Sequence, residues 1–387
     1  MTGSEHYTSG MSYTALARRY RSTGFDDIVG QEPIAKTLQA AIKADRVAHA
    51  YLFTGTRGVG KTTMARVFAK ALNEGGDEVE KAIMSGQDTD VIEIDGASNN
   101  SVDDARELIA NSVYRPMRGP YKIYIIDEVH MLSTAAFNAL LKTMEEPPEH
   151  VKFILCTTEA HKVPPTIQSR CQRYDFRAIP MTVIADRLGF VVDNEKLKAE
   201  PELLTMVARL GNGSMRDALS IMDRLMASGE KKLTVDLLES LMGLAPRELV
   251  GSLIDAFADG EPRPALDAAG QLVVTGTGPD QLFETLIERL RDLMVLSACG
   301  PETSLVELTG ETRKEEVERS QRFDAAGIVH MIALCENAQR AAKSSPNPRA
   351  LMDALIVRLA MTEKLADVTT LVAQLKGQTQ GAIAGKG

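Results

Sequence analysis

Apolar residues fall in short unbroken runs over the first half of the chain and at helical spacing over the second. The runs Ala50–Phe53, Val91–Ile94, Lys122–Ile126, Val151–Cys156 and Gln172–Phe176 read as strands covered on both faces, the pattern of a parallel sheet. Between them, Gln31–Ala44, Lys61–Leu72, Val102–Asn111 and Thr134–Met144 read as helices. This alternation predicts an α/β fold over residues 12–178. After Pro180 the strand signal stops, and Thr182–Val192, Pro201–Leu210, Met215–Ala227 and Thr234–Leu241 predict a small all-α segment over 179–243. Gly211-Asn212-Gly213-Ser214 separates two of these helices, with Ser214 as an N-cap. A second helical segment, 244–366, is broken at Glu261–Pro264, Thr275–Pro279 and Ser344–Pro348. Residues 367–387, rich in Gly, Gln and Ala from Lys376, predict a flexible tail.

The loop after the first strand changes this picture from architecture to chemistry. Gly55, Thr56, Arg57, Gly58, Val59, Gly60, Lys61 and Thr62 fit the phosphate-binding pattern G-x-x-x-x-G-K-[ST], between an apolar strand and a helix. Backbone N–H groups freed by the glycines close around phosphate oxygens, and the helix start adds partial positive charge. Lys61 is placed to reach the terminal phosphates, Thr62 to hold Mg²⁺, and Thr63 extends the binding set. The third strand ends in Asp127-Glu128, at the sheet edge where such loops open. Asp127 is assigned to Mg²⁺ and Glu128 to polarising the attacking water. The fourth strand ends in Thr157-Thr158, hydroxyls that can sense a γ-phosphate or position water. Arg170, in Ser169-Arg170-Cys171, reads by itself as a solvent-facing arginine or as a finger offered to a neighbouring subunit. Arg216 opens a helix of the second segment and is placed either to reach the γ-phosphate or to pair with Asp217 or Asp223.

Composition narrows the class. The chain has 387 residues, 44% hydrophobic and 25% charged, with no Trp, ordinary for a globular protein of several domains. No run of about 18 apolar residues marks a membrane span, and the first residues lack a secretory h-region; a cytoplasmic location follows as the expectation. The net charge of -9 argues against a basic coat for nucleic acid, although Ser12–Gly60 carries seven basic residues against four acidic ones. Cys156, Cys171, Cys299 and Cys335 show no C-x-x-C spacing and read as buried free thiols.

Taken together, the motifs resemble the AAA+ ATPases of the clamp-loader group, the family of bacterial DNA polymerase III gamma/tau subunits. The matching residues are Tyr13–Arg21, Val29–Glu32, His49–Phe53, Gly55–Thr62, Asp127–Leu132, Phe137–Lys142, Glu145–Phe153, Ser169–Cys171 and the stretch around Arg216. The resemblance is dense from Ser12 to Gly243 and thinner beyond. It implies a RecA-like ATPase domain over 12–178, a helical lid over 179–243 and a helical collar over 244–366. It also implies an ATP- and Mg²⁺-dependent motor that opens a sliding clamp and loads it on primer–template DNA, in a five-membered ring with delta, delta-prime and further gamma copies. Thr158, with Thr157 as the alternative, takes the first sensor position, Arg216 the second, and Arg170 the finger acting across subunits. Arg18–Arg21 and Val29 are placed near the adenine, and Arg106 is a DNA-contact candidate that reads by itself as an ordinary surface arginine.

The chain departs from the pattern in three places. The family carries four zinc-binding cysteines between the loop helix and the second strand, but Asn73–Asp90 has none, so no zinc is expected. Ser22 stands where a proline is usual. The end at Gly387 resembles a short, gamma-like form, and Met11-Ser12-Tyr13 resembles a typical start. Two other functions compete with the clamp-loader reading. A branch-migration ATPase would carry a winged-helix C-terminus, and a non-hydrolysing ring subunit would lack intact Lys61 and Glu128.

Overall fold

The computed structural model describes residues 14–362 apart from 304, 307 and 309; the expected tail, Tyr13 and the Met11 start lie outside the described residues. The chain forms two compact units, the first ending at Leu233 and the second opening at Thr234.

The first unit opens with the short helix α1 (Leu16–Arg19) and α2 (Glu32–Lys43). Strand β1 (Ala50–Thr54) then leads into α3 (Lys61–Leu72), α4 (Asp77–Ser85) and β2 (Val91–Asp95). Helix α5 (Val102–Ser112), β3 (Lys122–Asp127), α6 (Thr134–Glu145) and β4 (Val151–Thr157) follow, then α7 (Pro165–Gln168) and β5 (Gln172–Asp175). The five strands are parallel in the order β2-β3-β4-β1-β5. Period-2 alternation sends Tyr51 and Phe53 to one face, against Met64 and Phe68 of α3 and Leu38 of α2. Ala50 and Leu52 go to the other face, against Leu108 of α5 and Phe137 and Leu140 of α6. Both faces are covered, so four of the strand runs are apolar throughout or nearly so. The fifth differs from expectation. In β5, at one edge of the sheet, only Tyr174 is buried, while Gln172, Arg173 and Asp175 are exposed; β2, at the other edge, also buries only Val91 but keeps Ile92 and Ile94 half-buried against the core.

The helices α8 (Met181–Asn194), α9 (Pro201–Leu210) and α10 (Met215–Met226) complete the unit. The expected N-cap forms, with Ser214 accepting from the Asp217 N–H at 3.2 Å. Two strands absent from the sequence reading, β6 (Lys198–Ala199) and β7 (Lys232–Leu233), pair in parallel here; two residues are too few to show a period.

Among its described residues the second unit has only helices: α11 (Val235–Met242), α12 (Arg247–Ala258), α13 (Pro262–Val274), α14 (Pro279–Cys299), α15 (Gly310–Ser320), α16 (Ala325–Ala342) and α17 (Pro348–Ala360). Each predicted break becomes a helix start with proline in the first turn, where its missing N–H costs nothing. The core gathers Leu253, Phe257, Leu282, Phe283, Leu286, Met331 and Ile356. Beside it Glu316 is fully buried between Arg289 (2.6 Å) and Arg319 (2.8 Å). Of the four cysteines, Cys156 and Cys335 are buried and Cys171 is half-buried, but Cys299 is exposed at the end of α14, contrary to the expectation of burial.

Candidate nucleotide-binding site

Strand order brings the motifs together. With β4 lying between β1 and β3, the loop after β1, Asp127 at the end of β3 and the threonines ending β4 share one sheet edge. Two glycines of the loop are demanded by space. At Gly55 (φ 145°) a Cβ would lie 2.4 Å from the Phe176 carbonyl oxygen. At Gly58 (φ 75°) it would lie 1.9 Å from Ser214 Oγ, at the start of α10.

Lys61 is buried, and its ammonium donates to the Gly55 and Thr56 carbonyls, both at 2.9 Å. Burial pushes its pKa below the ordinary lysine value, against the pull of Glu128 and Asp127. Thr62 Oγ1 donates to Asp127 Oδ2 at 2.7 Å, and Asp127 Oδ1 accepts the Glu128 N–H at 3.0 Å. Glu128 sits at φ 46°, a left-handed conformation that costs a non-glycine residue about 1 kcal/mol or more. Thr158 donates its hydroxyl (3.1 Å) and its N–H (3.3 Å) to Glu128 Oε2. Thr157 is engaged elsewhere, 3.0 Å from His130 Nδ1.

Lys61, Thr62, Asp127 and Glu128 face a cavity of about 460 Å³, lined also by Arg57, Val59, Gly60, Thr63, Val29, Arg18, Arg21 and, from α10, Arg216; Gly55, Thr56, Thr157 and Thr158 do not line it, and Thr158 reaches it only through Glu128. Its electrostatics suit a polyanion. Burial and the neighbouring Arg66 and Arg216 all disfavour the charged form of Arg21, so cations are gathered at a cost that an anionic occupant offsets. Arg66 also lines the cavity and is oriented by a two-pronged pair with Glu93 at 2.6 and 2.8 Å.

Arg170 stands apart from this cavity, past the end of α7, donating to Thr166 O at 2.7 Å and to Glu145 Oε1 at 2.5 Å. Arg106 pairs with Asp103 at 3.0 Å on an exposed face. His130, Arg66 and Arg187 line or adjoin the site without having been singled out. Only His130 carried a signal, being a titratable residue in the turn directly after Asp127-Glu128. Among the described residues, no three His, Cys, Asp or Glu side chains gather for a metal ion. A hydroxyl and one carboxylate, Thr62 and Asp127, are nevertheless the hard oxygen donors Mg²⁺ takes beside phosphate oxygens.

A second surface lies beyond α5. Val113, Tyr114 and Met117 are 71%, 67% and 82% exposed in the loop leading to β3. The loop is held at its base. The Asp90 carboxylate accepts the Met117 and Arg118 N–H groups, both at 2.7 Å, and that of Gly119 at 3.3 Å. The Asn73 amide exchanges hydrogen bonds with the Tyr121 backbone at 2.7 and 3.0 Å.

Comparison with known proteins shows the family. The family described as DNA polymerase III, delta subunit, matches residues 30–180. The clamp loader subunit ATPase lid domain matches 183–231, and subunits gamma and tau domain III matches 233–375. DNA polymerase III subunit gamma of Buchnera aphidicola is 33% identical over 360 residues, covering 90% of this chain and 99% of that relative. The chain belongs to the DNA polymerase III gamma/tau family. Another gamma/tau relative, DNA polymerase III subunit tau of Bacillus subtilis, is 40% identical over 362 residues, 91% of this chain. The match spans 64% of that longer relative. Among solved structures, the Thermotoga maritima RuvB Holliday junction branch migration motor aligns with 58% of this gamma/tau chain and 72% of that chain, at 19% identity and a TM-score of 0.45. A likeness that distant carries no functional argument. Among the described residues, no helix is long and apolar enough to cross a membrane.

Proposed function

We propose that this chain is an ATP-driven motor subunit of a bacterial clamp loader, opening a sliding clamp and placing it on primer–template DNA. The observation that carries the reading is the pair of contacts Thr62–Asp127 and Thr158–Glu128 on one sheet edge, facing a cation-lined cavity in a gamma/tau-family chain. Backbone N–H groups of Gly55–Gly60 cradle the phosphates of ATP, and Lys61 neutralises their terminal charge. Thr62 and Asp127 hold Mg²⁺, which when bound neutralises the charge developing on the transferred phosphoryl group. Glu128, held by Thr158, orients the attacking water and receives its proton. Arg216 reports the γ-phosphate to the lid. Arg170, outside its own cavity, serves a neighbour's site.

The proposed organisation is an ATPase domain over 12–178, a lid over 179–243 and a collar over 244–366, with partners delta, delta-prime and further gamma copies in a five-membered ring. No polymerase chemistry resides in the chain, no structural zinc is held over Asn73–Asp90, and the motor works in the cytoplasm. The exposed Val113, Tyr114 and Met117 suit a protein partner, here the clamp. Met117→Ala combined with Tyr114→Ala is expected to raise the clamp concentration needed for half-maximal stimulation by about tenfold or more, at unchanged basal hydrolysis. Each side chain is worth about 1.5–3 kcal/mol when buried.

The deciding experiment is ATP hydrolysis by the complex reconstituted with its ring partners, clamp and primer–template DNA. Stimulation by clamp and DNA together is expected, and its absence would overturn the reading. In the same assay Arg170→Ala is expected to cost about 10³-fold in the assembled ring, the scale of an arginine finger. An equal defect in isolated subunits would remove its role across the interface.

A further inference from the structure

His130 lies in the short turn Val129–Met131, after the Asp127-Glu128 pair, with its side chain only 7% exposed. The imidazole stands between two carboxylates. Nδ1 is 3.4 Å from Glu128 Oε2, and Nε2 is 3.5 Å from Glu159 Oε1. Nδ1 also meets Thr157 Oγ1 at 3.0 Å, a hydroxyl fixed in turn by the Glu159 N–H at 3.0 Å. Glu159 is anchored on its far side by Lys162 at 2.7 Å, with His161 at 3.7 Å. The ring is therefore held at the end of β4.

A buried imidazole facing two acids is an expensive way to fill a turn that an apolar residue would fill as well. What it accomplishes lies at Glu128. The contacts from the Thr158 N–H, the Thr158 hydroxyl and His130 Nδ1 all fall on Oε2. The carboxylate is hydrogen-bonded through Oε2 by Thr158 and flanked at the same oxygen by the imidazole at 3.4 Å, which leaves Oε1 as the base toward water. From this we infer that His130 is a positioning residue for hydrolysis, setting the place of the Glu128 carboxylate through Nδ1. The inference rests on the ATPase reading above.

The test uses the full chain in its assembled complex, comparing His130→Ala, His130→Asn and His130→Gln. An asparagine amide reaches the place of Nδ1, and a glutamine amide that of Nε2. His130→Ala and His130→Gln are expected to lower single-turnover hydrolysis about 10- to 100-fold, the scale seen when an orienting outer partner is removed. The affinity for a non-hydrolysable ATP analogue stays unchanged, and His130→Asn recovers most of the rate. A turn-filling role would move thermal stability and leave the rate of folded protein alone. Rates equal to the parent in His130→Ala, or recovery by glutamine and not asparagine, would overturn the inference while leaving the motor reading intact. A parent complex with no hydrolysis at all would overturn both.

Discussion

Lys61→Ala is expected to abolish productive ATP binding while leaving the chain folded. The ammonium is buried and already desolvated, so its removal relieves a charge held away from water. The cost to the fold is confined to the Gly55 and Thr56 carbonyls, which lose their 2.9 Å partner and lie in a loop that water can enter. The cost to binding is much larger. A charge-assisted hydrogen bond is worth about 1.5–3 kcal/mol, so losing two of them to phosphate weakens ATP by about two to four orders of magnitude. Equilibrium binding and the ATP-induced rise in Tm measure this directly. The parent should gain stability with ATP and the variant should not. Full clamp loading by Lys61→Ala would defeat the motor reading outright.

Glu128→Gln is expected to separate binding from chemistry. The amide keeps an oxygen for the Thr158 hydroxyl and N–H, so the left-handed turn at residue 128 and the cavity are preserved. It cannot take a proton, and general-base catalysis contributes about 10²–10⁴-fold. ATP affinity should therefore stay within a few-fold of the parent while hydrolysis falls by that range. The ATP-bound complex should accumulate with the clamp attached. Clamp retention on a column in ATP, together with single-turnover hydrolysis, distinguishes this from a binding defect. Unchanged hydrolysis would take the base role away from Glu128.

Much of this site was legible in the chain because its signals are local. A glycine-rich loop between an apolar run and a helix, or Asp-Glu closing a strand, needs no knowledge of distant partners. Central strands were equally plain, since burial on both faces writes an apolar run. The edge strand β5 broke that rule because only Tyr174 of it is covered, whereas β2, at the other edge, keeps Ile92 and Ile94 packed against the core; β6 and β7 were too short to show any rule. His130 and Asp90 escaped for a different reason. Their meaning lies in Glu159 and in the Met117–Gly119 backbone, groups brought close by the sheet and not by spacing along the chain. Arg170 stood out only through resemblance, because its proposed partner belongs to another molecule.

Asn73 ends α3, and Asp90 precedes β2, so the two residues that fasten the exposed loop bracket a single stretch of chain. That stretch holds a nine-residue helix here, where the family resemblance implies a cysteine-bearing module. The anchors sit on elements fixed by the sheet, but the stretch between them also contributes, since Asp88 caps the Asp90 N–H at 2.8 Å and stands 3.9 Å from Arg118 of the loop. The stretch therefore shares in setting the exposed loop, and a change within it at Asp88 would reach the face that the loop offers.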